Sequence, residues 1–121
     1  EADYVVLSCA LTPQTEGLIR HDIVARMKKS AFLVNVARGR VVDEQGLIAA
    51  LQAGQIAGAA LDVVVEEPMP AASPLWDLPN VLITPHSAGE TRAYEDNVLD
   101  ILIENLEHLW RGETQLRNGL L

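Results

Sequence analysis

Apolar residues along this chain fall into short runs with two different spacings, and these runs alternate. Residues 4–10 are nearly continuously apolar and rich in β-branched side chains, which predicts a strand buried on both faces. Runs over residues 31–36, 57–64 and 81–84 predict three further strands. Because helical segments separate the strands, the pattern indicates an α/β fold with one parallel sheet and right-handed crossovers.

Three segments carry apolar residues at helical spacing. Residues 19–27 predict a short helix, and Asp43 is a favourable N-cap for a second helix that closes at Gly54. A long third helix is predicted over roughly residues 90–111, with Gly112 as its stop. Its apolar stripe consists of Val98, Ile101, Leu102, Leu106 and Leu109.

Polar residues follow the predicted strands where a parallel sheet gathers its chemistry, in the loops after the carboxyl ends. Arg38 follows the second strand beside a glycine, and its planar guanidinium suits a carboxylate held by two hydrogen bonds. The alternative is a surface arginine bonded to loop carbonyls. The residue alone leaves both interpretations open.

His86 follows the last strand, where an imidazole can exchange a proton near neutral pH. A lone histidine is more often structural, but a carboxylate from the loop after the third strand would fix its tautomer and favour its charged form. Both Glu66 and Glu67 lie in that loop, and spacing does not decide between them.

Asp62 lies inside the otherwise apolar third strand, where a carboxylate is costly without a partner. It either accepts a hydrogen bond from a ligand amide or caps nearby backbone N–H groups. Cys9 fills the strand core in this interpretation and has no assigned chemistry.

Composition narrows the possible functions. The chain has 121 residues, enough for one domain or part of one, and a net charge of −8 argues against nucleic acid or an anionic membrane as partner. A single cysteine and no signal-like or membrane-spanning run favour a cytoplasmic location. The three histidines lack metal-ligand spacing, so no metal is predicted, and no Gly-x-Gly-x-x-Gly loop occurs.

Taken in order, the loop motifs resemble the D-specific 2-hydroxyacid dehydrogenase family, which includes phosphoglycerate dehydrogenases and glyoxylate/hydroxypyruvate reductases. The resemblance spans residues 2–112. Departures fall at Val64, where the family usually has an aromatic residue, and at Ala10, where proline is frequent. The motifs are Leu11-Thr12-Pro13-Gln14-Thr15, Leu33-Val34-Asn35-Val36-Ala37-Arg38-Gly39 with Val42-Asp43, Gly58-Ala59-Ala60-Leu61-Asp62-Val63 ahead of Glu67-Pro68, and Leu78-Pro79-Asn80-Val81 before Thr84-Pro85-His86.

The resemblance implies a role for each matching residue. Arg38 would bind the substrate carboxylate, His86 would be the general acid/base, and Glu67 rather than Glu66 would support the histidine. Asp62 would meet the carboxamide of the cofactor, NAD or NADP with NAD favoured. The implied cofactor-binding residues are Thr12, Pro13, Ala37, Arg38, Asp62 and His86.

The implied reaction is hydride transfer between the nicotinamide and a small D-2-hydroxy acid or 2-oxo acid, like that of phosphoglycerate dehydrogenases. The protein is expected to be a homodimer. Formate dehydrogenases resemble the chain less, because they carry glutamine at the position of Glu67. The alternative is a dinucleotide-sensing corepressor of the same fold, which can retain the same three residues.

The resemblance also implies that the chain is the C-terminal portion of the dinucleotide-binding domain, the second half of a Rossmann-like doubly wound sheet. The segment from about residue 90 to 121 would return toward the substrate domain. The glycine loop and that domain would precede Glu1. We therefore expect the isolated chain to be inactive, to bind nicotinamide dinucleotide negligibly, and to self-associate through its exposed apolar surfaces.

Overall fold

The computed structural model describes residues 2–119, which divide between Ala88 and Gly89 into two compact units. Short 3₁₀ helices cover Gly39–Val41 and Pro74–Asp77, the second within a proline-rich loop. In chain order the strands and α-helices are β1 (Tyr4–Leu7), α1 (His21–Val24), β2 (Phe32–Asn35), α2 (Glu44–Gln52), β3 (Gly58–Leu61), β4 (Val81–Ile83) and α3 (Tyr94–Trp110).

The four strands form one parallel sheet in the order β1-β2-β3-β4, which confirms the predicted α/β architecture. Val6 pairs with Val34, Val34 with Ala60, and Ala60 with Leu82, so the strands run in step. All four carboxyl ends therefore meet at one edge of the sheet. The loops with the predicted polar residues begin there.

One face of this sheet forms the core of the first unit. The strands β1, β2 and β3 each contribute one leucine to it: Leu7, Leu33 and Leu61. These leucines belong to a buried cluster with the helix residues Val24 and Leu47. Together these apolar contacts supply the hydrophobic stabilisation of the unit.

The opposite face of the sheet is exposed at β1, so the expectation of a strand buried on both faces is wrong. The exposed fractions are 67% for Tyr4 and 59% for Val6, and the Tyr4 ring stacks on Phe32. β1 lies at the edge of the sheet and contributes Leu7 to the core on the other face.

Two other expectations need correction. The predicted helix over residues 19–27 is reduced to α1, because Ile19 forms a parallel bridge with Val42 and its backbone is therefore extended. β3 ends at Leu61, so Asp62 is the first residue beyond the strand and not part of it. Asp62 thus belongs to the sheet edge where the functional loops begin.

The predicted helix ends of α2 are confirmed. Asp43 accepts a hydrogen bond from the backbone N–H of Gly46, and Gly54 adopts the left-handed backbone, φ 62°, that closes a helix. The predicted long helix begins later than expected, at Tyr94, and Gly112 follows its end with φ 77°. No side chain of α3 is buried, and all of its residues belong to the described part of the chain.

Candidate active site

His86 lies in a turn that follows β4, and its backbone is left-handed, with φ 56°. Few residues other than glycine adopt this conformation. The Asp62 carboxylate holds the turn: it accepts hydrogen bonds from the Thr84 hydroxyl and, at 2.9 Å each, from the backbone N–H groups of Ser87 and Ala88. Of the two interpretations of Asp62, capping of backbone N–H groups is therefore observed.

The environment of Asp62 favours its charged form. The Thr84 hydroxyl, and then the two backbone N–H donors, hold the pKa of this carboxyl below its ordinary value, although burial acts in the opposite direction. Asp62 is 7% exposed, which makes it one of two buried polar residues recorded in the described chain; Asn35 is the other.

The imidazole of His86 is paired with Glu67. Nδ1 of His86 lies 2.7 Å from Oε2 of Glu67, and Oε1 of the same carboxylate accepts a hydrogen bond from the backbone N–H of Val64 at 3.1 Å. The expected hydrogen bond is therefore present, and its acceptor is Glu67 rather than Glu66. With Nδ1 donating to the carboxylate, Nε2 is the ring nitrogen left for another partner.

Several interactions stabilise the charged carboxylate of Glu67. The His86 hydrogen bond, the Val64 N–H and the charge of Arg38 lower the pKa of Glu67, while partial burial opposes them. Arg38 and Glu67 line the same cavity, so the positive charge of Arg38 lies in the neighbourhood of the His86–Glu67 pair.

Arg38 is held by a turn that Asn35 closes. The Asn35 side chain is buried; its amide donates to the Arg38 carbonyl and its oxygen accepts from the Ala37 N–H, both at 3.0 Å. Arg38 itself is exposed, and Nη1 donates to the Ala37 carbonyl at 2.6 Å. The bond to a loop carbonyl, which the alternative interpretation expected, is thus present, and it engages one of five guanidinium N–H groups.

Gly39 brings the Arg38 turn against the loop that carries Glu67. A Cβ atom at Gly39 would lie 2.0 Å from the carbonyl carbon and oxygen of Val64 and 2.4 Å from the nitrogen of Val65. The two loops meet at a distance that a side chain would not permit. Arg38 and Glu67 consequently line one cavity of about 300 Å³.

A second cavity, of about 360 Å³, is lined by both His86 and Glu67. His86 and Glu67 contribute its polar wall together with Asp62, and Met69 and Trp76 contribute apolar surface. The indole N–H of Trp76 donates to the carbonyl of Pro70 within the same loop, at 3.0 Å.

The site residues are not all neighbours. Asp62, Glu67 and His86 lie together, with Arg38 beside Glu67, whereas Thr12 and Pro13 follow β1 at the far edge of the sheet. Three strand spacings separate β1 from β4, roughly 14 Å. Ala37 is buried within the Arg38 turn, between these positions.

Sequence reasoning assigned no role to Asn35, Thr84 or the Val64 N–H, although each one holds a site residue in place. The signal for Asn35 was a polar residue within an apolar strand. Nothing in the sequence marks the backbone of Val64, because every residue except proline supplies an N–H group.

Within residues 2–119, no three or more His, Cys, Asp or Glu side chains are grouped so that they could hold a metal ion. Among the described helices, none has the length and apolar character needed to cross a membrane.

Comparison with known proteins identifies the relatives of this chain. The profile of the family described as "D-isomer specific 2-hydroxyacid dehydrogenase, NAD binding domain" matches residues 1–88. Glyoxylate/hydroxypyruvate reductase B from Pectobacterium carotovorum is 43% identical over 115 residues, which cover 95% of this chain and 36% of that protein.

Solved structures agree with the sequence comparison. A D-isomer specific 2-hydroxyacid dehydrogenase from Xanthobacter autotrophicus Py2, in complex with NADPH and MES, superposes with a TM-score of 0.90 at 42% identity, over 99% of this chain and 48% of that one. The NAD-complexed enzyme from Lactobacillus delbrueckii gives 0.83 at 38% identity, over 95% and 39% of the two chains.

The chain thus spans between about a third and a half of the length of these relatives. Its parallel sheet, its matched residues and its structural neighbours agree with one another. The chain belongs to the D-isomer specific 2-hydroxyacid dehydrogenase family, as its C-terminal NAD-binding part.

Proposed function

We propose that the protein containing this chain is an oxidoreductase that reduces a small 2-oxo acid, such as glyoxylate or hydroxypyruvate, to the 2-hydroxy acid with a reduced nicotinamide dinucleotide. Family membership supports this reaction class, and so do similar proteins that are named glyoxylate/hydroxypyruvate reductases. The observation that carries it is the hydrogen bond between His86 and Glu67 at the carboxyl edge of the sheet, with Arg38 alongside.

His86 is the proton donor to the substrate oxygen in this proposal. Glu67 occupies Nδ1, so the proton is delivered from Nε2, and the carboxylate stabilises the imidazolium before transfer. Glu67 is held in turn by the Val64 N–H, which keeps the carboxylate in place while the ring changes charge.

Arg38 binds the carboxylate of the substrate. Its guanidinium uses one N–H for the Ala37 carbonyl and has four more, enough for two hydrogen bonds to an acid group. Because the positive charge lies near Glu67, it also balances the negative charge that the carboxylate brings to the site.

The residues present fit a nicotinamide dinucleotide, NAD or NADP. Oδ1 of Asp62 accepts two hydrogen bonds and Oδ2 accepts one, so an acceptor position on Oδ2 remains for an amide donor. When bound, the nicotinamide supplies the hydride to C2 of the acid. The residues that would hold the cofactor are Thr12, Pro13, Ala37, Arg38, Asp62 and His86.

The test uses the full-length protein that contains this chain. Oxidation of NADH and NADPH is followed with glyoxylate, hydroxypyruvate and, for comparison, a phosphorylated 2-oxo acid. Loss of general acid catalysis in His86→Ala should lower kcat by about 10²- to 10⁴-fold, with little change in cofactor affinity. Arg38→Lys should chiefly raise KM for the acid, because the two-pronged contact is lost.

Adjacent glutamates provide the matched control. Glu67→Gln should lower kcat, whereas Glu66→Gln, at the carboxylate that does not pair with His86, should leave it unchanged. No 2-oxo acid reduction by the folded wild-type protein, or equal effects of the two glutamine variants, would contradict the proposal.

A further inference from the structure

We infer that Asp62 is a positioning residue for His86: its buried carboxylate holds the left-handed turn that aims the imidazole at Glu67. The inference rests on the proposed function only for the role of the imidazole as proton donor. The hold itself is a property of the free protein and can be measured without substrate or cofactor.

The hydrogen bonds to Asp62 come from both sides of His86. Thr84 lies two residues before it, and Ser87 and Ala88 follow it directly. One carboxylate therefore ties together both flanks of a residue with φ 56°. Such a backbone persists where the surrounding structure fixes it.

Asp62 is itself fixed to the sheet. Its N–H donates to the Asn35 carbonyl of β2 at 3.0 Å, and the Thr84 N–H donates to the Leu61 carbonyl of β3, also at 3.0 Å. Asp62 thus lies where the ends of β2, β3 and β4 are hydrogen-bonded to one another. It offers the turn a rigid point of attachment.

A carboxylate is required at this position rather than any polar group. All three partners donate, and a side-chain amide of the same shape would point an N–H₂ group at one of them. In Asp62→Asn, either the Ala88 N–H or the pair formed by Thr84 and Ser87 would face a donor. The substitution should release one side of the turn without changing its volume.

Release of the turn should reach the acid–base pair because Glu67 is anchored separately. Its carboxylate is held by the Val64 N–H of its own loop, which is not part of the His86 turn. The carboxylate therefore does not follow the histidine when the turn relaxes. A change of φ at His86 moves the Cβ direction, and Nδ1 then leaves Oε2. The ring loses the partner that selects its tautomer.

The test is nuclear magnetic resonance on the chain itself, with ¹⁵N in the histidine rings and ¹³C in the glutamate carboxyls. In the wild type we expect the neutral ring of His86 to carry its proton on Nδ1, and the Glu67 carboxyl to titrate below its ordinary range. In Asp62→Asn we expect both tautomers of the ring, and the Glu67 titration should move up toward the ordinary range.

Asp43→Ala is the control for general destabilisation. It removes another carboxylate that accepts a backbone N–H, at the start of α2, and so weakens the fold away from His86. It should leave the tautomer and the Glu67 titration as in the wild type.

A second pair of variants decides the matter where Asp62→Asn does not fold. Thr84→Val removes the hydroxyl that donates to Asp62, whereas Thr84→Ser retains it. The valine variant should shift the Glu67 titration in the same direction as Asp62→Asn, and the serine variant should not. If the His86 tautomer and the Glu67 titration are the same in Thr84→Val and Thr84→Ser, the inference is overturned.

The outcomes also separate this inference from the proposed function. If Asp62 served the cofactor alone, Asp62→Asn would raise KM for the dinucleotide in the full-length protein but leave the ring of the free protein unchanged, and the inference would fail. The opposite result is a changed His86 tautomer in Asp62→Asn together with a full-length protein that does not reduce 2-oxo acids. It would support the positioning role of Asp62 and refute the proposed reductase activity.

Discussion

Gly39→Ala tests whether close contact between two loops builds the site. A Cβ at this position would lie 2.0 Å from the carbonyl of Val64, and ordinary contact begins at 3.4 Å. The loops must therefore separate by about 1.4 Å, the difference between these two distances. Since the obstacle is backbone, no side-chain rotation relieves the overlap.

The displaced backbone carries two hydrogen bonds that bear on the site. The Val64 N–H donates to Glu67 at 3.1 Å, and the Val65 N–H donates to Glu44 of α2 at 2.9 Å. A shift of more than 1 Å takes the Val65 N–H beyond hydrogen-bonding distance of Glu44. It also weakens the bond from the Val64 N–H, because His86 holds the Glu67 carboxylate from another loop. Overpacking of this kind costs about 1–3 kcal/mol, and the broken bonds are included in that range.

The assay is urea unfolding of the chain together with the ¹³C titration of the Glu67 carboxyl. Gly39→Ala should lower the free energy of unfolding by about 1–3 kcal/mol. The pKa of Glu67 should rise toward its ordinary value, because the displaced backbone weakens the hydrogen bonds from the imidazole and the Val64 N–H that stabilise the charge.

Two further glycines provide controls. At Gly89 an added Cβ meets nothing within 4 Å, so Gly89→Ala should change stability by less than about 0.5 kcal/mol. At Gly58 the Cβ would lie 2.5 Å from the Asn80 carbonyl, so Gly58→Ala should destabilise the sheet without shifting the Glu67 titration. A Gly39→Ala protein with wild-type stability and an unchanged Glu67 titration would refute the reasoning.

Three more predictions follow from the structure. The pKa of Glu67 is lowered in the fold, so its charge stabilises the protein above the carboxyl's unfolded pKa, and this stabilisation disappears as pH falls through the lower folded value. The stability difference between wild type and Glu67→Gln, measured by urea unfolding, should therefore narrow as pH falls below about 5, and a difference that stays constant with pH would count against the pairing. Asn35→Ala leaves two backbone groups of a buried turn unpaired and should cost about 1–3 kcal/mol by the same assay, whereas wild-type stability would show that water replaces the amide. The exposed apolar face at Tyr4, Val6 and Leu82 should make the chain associate at micromolar concentration, as light scattering would detect, and a stable monomer mass would contradict this.

The sheet and its functional edge could be predicted because they depend on local pattern. Apolar runs locate the four strands, and parallel pairing brings the residues after their carboxyl ends to one edge, as found for Arg38, Glu67 and His86. Strand lengths were overestimated, because hydrophobicity continues past Leu7 and Leu61 where pairing stops.

Tertiary contacts decided the features that pattern did not reveal. Ile19 has helical neighbours in sequence, but its bridge to Val42 keeps it extended. The choice between Glu66 and Glu67 depends on which of two adjacent side chains points at the histidine, and periodicity does not register that direction in a loop. The three donors to Asp62 are remote from it in sequence, so its capping role is visible only in the fold.

The cavity beside the His86–Glu67 pair bears on how this site can change in evolution. Trp76, in the wall of this cavity, donates a hydrogen bond to the Pro70 carbonyl in its own loop. Glu67, by contrast, is hydrogen-bonded to His86 and to the Val64 backbone. The Trp76 wall and the His86–Glu67 pair are thus separate hydrogen-bonded units. Substitutions at Met69 or Trp76 can therefore reshape the cavity while the His86–Glu67 pair stays in place, so the lining can change by single steps without loss of the pair.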